Sequence, residues 1–201
     1  MERYNLAVLT KKIYASGFLF FSLRTLKSIL DVKKESTVFS VIKKLVDAEV
    51  LVKIERSKYL LKDAKVNDFA LANFIYQPSY VSFETALNFY GILSQFPYEI
   101  SSTTVKKTIK KTFEGKVFTY TRVKKDLFWG YDKKDNFIIA FPEKALLDQL
   151  YISANGHKRM NLDEYDLSRL NVSRLKNYLK KFPKTMQFEK AVKKLKEHLR
   201  I

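Results

Sequence analysis

The stretch KKESTVFSVIKKL, residues 33–45, sets hydroxyls and cations at helical spacing. Ser36, Thr37, Ser40, Lys43 and Lys44 fall on one side of a helix whose other side is Val38, Val41, Ile42 and Leu45. Short hydroxyls and lysine ammonium groups donate to base-edge acceptors and to phosphate oxygens, so this face suits a groove of double-stranded DNA. The bland alternative is the solvated face of a small packing domain. A second group, Lys106, Lys107, Lys110 and Lys111 within VKKTIKK, gathers cations on a turn or a single helical turn. It is a candidate second nucleic-acid contact or simply a charged surface.

Other chemistry is thinly represented. The chain has no cysteine, which removes thiolate catalysis, disulfides and cysteine-bound zinc. His157 and His198 lack neighbours at metal-ligand spacing, and the five glycines are scattered singly, without a phosphate-cradling loop. The acids Asp163, Glu164 and Asp166 read as charges leading into a helix rather than a metal site. With no nucleophile, base and orienter converging, an enzyme is not expected, and neither is a cofactor or metal.

The net charge of +17 on 201 residues favours a polyanionic partner through counterion release and steering. Residues 1–62 carry 13 Lys or Arg against 6 acids and residues 63–201 carry 25 against 15, so both parts are basic. The apolar runs are too short to span a bilayer, no signal-peptide pattern opens the chain, and a cytoplasmic protein with no membrane partner is expected.

The elements that would hold these groups follow from periodicity. Residues 5–15 predict a helix ended by Gly17, residues 18–21 a short strand, and Ser22 the cap of a second helix. Residues 33–45 supply a third helix. Alternation over residues 50–61 predicts a hairpin with Arg56 and Lys58 at its tip. Helix, strand, helix, helix and hairpin is the order of a winged helix-turn-helix, whose last helix enters the major groove. Asp31 and Glu49 stand where a glycine would take a left-handed backbone more easily.

The polar stretch at residues 61–68 divides a first domain, 1–62, from a larger mixed domain, 63–201, which ends in helices; the whole is of the α+β class. Helices are predicted over residues 68–76 and 82–93, the second capped by Ser82. Another starts at Pro142, and the last two cover 167–182 and 185–200. Strands are predicted over residues 98–104, 116–123 and 136–141. LFWGY, residues 127–131, could stack on bases, although packing is the commoner fate of clustered rings.

The segments PSYVSFETALNFYGIL, YEISSTT, FTYTRVKKDLFWGY and IIAFPEKALLDQLYI, in this order behind the first domain, resemble the AbiEi-type antitoxins of abortive-infection toxin–antitoxin systems. The resemblance covers nearly the whole chain. It implies a repressor that binds an inverted repeat in its own promoter, whose symmetry suits a dimer on the DNA, and a C-terminal domain that counteracts a nucleotidyltransferase-like toxin, directly or indirectly. The DNA residues it implies are those named above: Ser36, Thr37, Ser40, Lys43, Lys44, Arg56 and Lys58. The alternative is a winged-helix regulator without a toxin, sensing a ligand or recruiting a protein through residues 68–201.

Overall fold

The computed structural model describes residues 5–156 and 160–200, and the chain forms two compact units, Met1–Val66 and Asn67–Ile201. Both combine helices with a sheet, an α+β organisation.

In the first unit, α1 (Leu6–Ala15) begins at Asn5, whose Oδ1 accepts the Ala7 amide at 2.9 Å. β1 (Phe20–Ser22) starts two residues later than the apolar run suggests and leaves Phe18 exposed. α2 (Leu23–Ile29) is capped as expected, Ser22 Oγ accepting the Thr25 amide at 3.1 Å. α3 (Glu35–Asp47) follows, then the hairpin of β2 (Leu51–Glu55) and β3 (Lys58–Leu61). β3 lies between β1 and β2 and runs antiparallel to both, pairing Phe20 with Leu60 and Val52 with Leu60. Leu9, Ile13, Phe21, Leu26, Val38, Val41, Ile42, Leu45 and Leu51 form the core. Each contributes about 1.5–3 kcal/mol by leaving water, which is what fixes α3 in place. The two turns without glycine are left-handed all the same, with φ of 52° at Asp31 and 55° at Glu49, each at a cost of roughly 1–2 kcal/mol.

The second unit contains α4 (Asp68–Ile75), β4 (Ser79–Val81), α5 (Phe83–Phe89), β5 (Glu99–Thr104), β6 (Ile109–Phe113), β7 (Lys116–Arg122), β8 (Tyr131–Lys134), β9 (Phe137–Ala140), α6 (Pro142–Ala154), α7 (Val172–Leu179) and α8 (Met186–Leu199). Its six-stranded sheet has the order β6-β7-β5-β4-β9-β8, parallel at β5/β7 and β4/β9 and antiparallel elsewhere. Three sequence expectations are corrected. The VKKTIKK segment, read as a turn or a single helical turn, runs into an edge strand, β6, which holds Lys110 and Lys111 while Lys106 and Lys107 precede it. Residues 167–182 are not one helix, because Asn171 caps a new start by accepting the Arg174 amide at 2.9 Å while a short 3-10 turn, Leu167–Arg169, precedes it. Ser82 does not cap α5 with its side chain; its hydroxyl instead donates to Asp148 Oδ2 at 2.9 Å.

That bond belongs to a polar cluster inside the second unit. Lys144 and Asp148, one turn apart on α6, are an ion pair with side chains 0% and 1% exposed. Lys144 Nζ also donates to Tyr80 Oη at 2.9 Å, and Tyr80 Oη donates to Asp148 Oδ2 at 3.0 Å. The rings of Trp129, Phe182 and Tyr80 lie 5.1, 5.3 and 5.4 Å from the ammonium, so the cation is paired, hydrogen-bonded and faced by aromatic π-systems. Burial lowers the Lys144 pKa from its ordinary 10.5, and Asp148 opposes that shift. LFWGY is therefore largely packing: Leu127 is buried, Phe128 lies against Tyr80, and Trp129 lies against Tyr178 and Phe182.

Candidate nucleic-acid interface

α3 buries Val38, Val41, Ile42 and Leu45 and turns Ser36, Ser40, Lys43 and Lys44 outward, with Thr37 half-buried at the edge of that face. The three-and-four spacing of its apolar stripe requires this division. No side chain caps the helix at Lys34, and Glu35 in its first turn complements the exposed amides. Among the described residues, no ion pair or side-chain hydrogen bond engages Ser36, Thr37, Ser40 or Lys44. Ser36, Ser40 and Lys44 face solvent, and their donors remain open to a ligand.

The remaining cations of the first unit differ in availability. Lys43 is bound to Asp47 at 2.5 Å, an exposed pair that water and salt readily break. Lys58 is held by Glu55 at 2.7 Å with only 25% of its side chain exposed, so it is not the free wing-tip cation the sequence suggests. Arg56 stands at the β2–β3 turn, whose Ser57 carbonyl accepts the Leu23 amide at 3.0 Å and so ties the turn to the start of α2. A hollow of about 460 Å³ opens there, lined by Arg24 and Lys27 of α2, Glu35 and Val38 of α3, and Arg56. Arg24 and Lys27 escaped the sequence reading. They sit on a helix identified by its Ser22 cap and apolar stripe, and no motif signals that α2 and the turn share a hollow.

Phe39 was missed as well. The residue is 52% exposed on the outward side of α3, between Ser36 and Lys43. The sequence signal was present, since Phe39 falls outside the Val38, Val41, Ile42 and Leu45 stripe.

In the second unit the lysines of residues 105–111 are not one cluster. Lys110 on β6 is paired with Glu99 at 2.5 Å, and Lys111 points from the opposite side of that strand. Lys106 and Lys107 instead line a hollow of about 390 Å³ with Tyr76 and Arg122, the Lys106 ammonium lying 5.6 Å from the Tyr76 ring centre.

Of the remaining chemical candidates, His157 lies outside the described residues. His198 Nε2 is 3.2 Å from Asp163 Oδ1, and the ring's other nitrogen bonds the Lys194 carbonyl at 3.0 Å; the two bonds raise its pKa from 6.5, the backbone bond contributing more. Asp166 accepts from the Ser168 amide, the Ser168 hydroxyl and Arg169 Nε, and these bonds lower its pKa. It serves as a cap. Among the described residues, no three His, Cys, Asp or Glu side chains form a group that could hold a metal, and no helix is long and apolar enough to cross a membrane. No protein-family model matches this chain, and neither does any curated protein.

Proposed function

We propose that the first unit is a winged helix-turn-helix that binds double-stranded DNA, with α3 in the major groove and the Arg56 turn as the wing along the backbone. The observation that carries this reading is the outward face of α3, where Ser36, Thr37, Ser40 and Lys44 keep their donors free on a helix held firmly by its opposite stripe. Arg24, Lys27 and Arg56 beside it supply the phosphate contacts that set register, and the net charge of +17 supplies the long-range attraction. The chain's resemblance to AbiEi-type antitoxins extends the proposal. The protein represses its own operon at an inverted repeat, and its second unit counteracts a nucleotidyltransferase-like toxin.

Two experiments test the two halves. Gel shift on the DNA upstream of the gene should show a specific complex, with Lys44→Ala and Arg56→Ala each lowering the log–log salt slope by about 0.9 per lost phosphate contact. Unchanged affinity and slope in both variants would rule out the groove. For the second half, the neighbouring gene should encode a nucleotidyltransferase-like protein whose growth arrest is relieved by co-expression of this chain. A neighbour of unrelated type removes the antitoxin role and leaves a DNA-binding regulator.

A further inference from the structure

We infer that Phe39 is a base-reading residue whose ring packs against thymine 5-methyl groups in the major groove. This rests on the DNA-binding reading of α3 and names the chemistry that reading leaves open. Phe39 is 52% exposed and stands outside the buried stripe of its helix. Its setting matters more than its exposure alone. At helical spacing Ser36 lies one turn before it and Lys43 one turn after, with Ser40 farther round the same outward side.

The outward side thus combines cations with two hydroxyls and one apolar ring. Phosphates are met by charge, whereas base edges are met by neutral donors and by apolar contact. In the major groove the 5-methyl of thymine is the one apolar group a base pair presents, and the nearby Ser36 hydroxyl can reach acceptors of the same or the adjoining pair. A phenylalanine has no donor, so a methyl is the feature it can distinguish. Bound DNA would also remove from water a ring that the free protein leaves half-exposed.

The test uses the full chain and a duplex covering the region upstream of its own gene, prepared once with thymine and once with uracil throughout. The two duplexes differ by the 5-methyl groups. Burial of one methyl predicts about fourfold weaker binding of the uracil duplex per half-site contacted. Phe39→Ala, which removes a half-exposed ring and leaves the core intact, should bind both duplexes equally, at the level of the native protein on uracil. Equal binding of both duplexes by the native protein overturns the inference, as does a thymine preference that survives in Phe39→Ala. If either occurs while Ser40→Ala and Lys44→Ala still weaken the complex, the DNA-binding reading stands and only the role of Phe39 falls. If the native protein prefers the upstream duplex no more than a scrambled one, both fall. A Phe39→Ala protein that changes its sedimentation without changing its thymine preference makes the ring a protein contact, and the inference fails.

Discussion

Lys144→Met should destabilise the second unit far more than a surface lysine substitution, and most of the loss should come from Asp148. Methionine matches the length of the lysine stem and keeps contact with Trp129 and Phe182, so the main change is the loss of the ammonium. The carboxylate left behind is 1% exposed and, among the described residues, keeps only hydroxyl donors, Tyr80 at 3.0 Å and Ser82 at 2.9 Å, with Thr103 at 3.5 Å. Breaking a buried pair from one side costs about 3–5 kcal/mol, and the surviving hydroxyl bonds place this case toward the lower end, near 3 kcal/mol. Replacing both partners, as Lys144→Met with Asp148→Leu, removes the stranded charge and should recover most of that loss. Urea denaturation of the native chain, both single variants and the double variant completes the cycle. A double variant as unstable as Lys144→Met would refute the argument, since the loss would then be one of packing. The pH dependence supplies a second check. Because the folded Lys144 loses its proton below 10.5, the unfolded chain binds more protons between the lowered value and 10.5, and this group's contribution to stability rises with pH across that window. Tyr80 acts in the opposite sense: burial, with Asp148 adding, raises its pKa above 10.0, so its contribution falls as pH climbs past 10.0. Lys144→Met should abolish the rising limb and keep the falling one.

Gly130→Ala should cost the second unit several kcal/mol, because φ is +74° and a Cβ there would lie 2.9 Å from Lys144 Cγ, deep in the same cluster; thermal unfolding followed by circular dichroism measures it. Lys58→Ala should lower DNA affinity less than Lys44→Ala, since Lys58 is committed to Glu55 and Lys44 has no such partner among the described residues; fluorescence anisotropy on the upstream duplex compares them. His198 should titrate above 6.5 in an NMR experiment, and Asp163→Asn should lower that value. The bond between them contributes to stability below pH 6.5, and the contribution is lost as pH rises through the folded value.

Where a single local rule dominates, the sequence predicts the element. Ser22 caps α2, Pro142 opens α6 and the core stripe of α3 is buried, because each depends on neighbours within one or two turns. Strands β4, β6 and β8 escaped for different physical reasons. β4 is three residues long and buried on both faces, so it shows no alternation. β6 and β8 are the edges of the sheet, and their sequences IKKTF and YDKK carry the charges that keep an edge from pairing with another chain, which hides the apolar period. Lys144 and Asp148 resemble an ordinary exposed i,i+4 pair. That α6 is buried on every side from Glu143 to Leu150 follows from α5, α7 and α8 packing around it, a tertiary fact that no helical periodicity encodes. Ser82 was misjudged for the same reason, since its hydroxyl bonds a carboxylate 66 residues away.

On the DNA-binding reading, affinity and specificity reside in different side chains of one surface. In the second unit many acids are already matched internally, Asp68 with Lys116, Glu99 with Lys110, Glu143 with Arg174 and Asp166 with Arg169. The excess positive charge therefore lies on cations without such partners, and their attraction to DNA is independent of sequence and falls steeply with salt. On α3 the uncharged Ser36, Phe39 and Ser40 contribute little to that attraction, but they meet base edges, which differ between sequences. Substituting Arg24, Lys27 or Lys44 should lower binding to every duplex and flatten the salt slope. Substituting Ser40 or Phe39 should leave the slope alone and lower the ratio of upstream to scrambled binding. Measuring slope and ratio together for both sets separates the two roles, and a Ser40→Ala protein that alters the slope while keeping the ratio would show that α3 meets phosphate rather than bases.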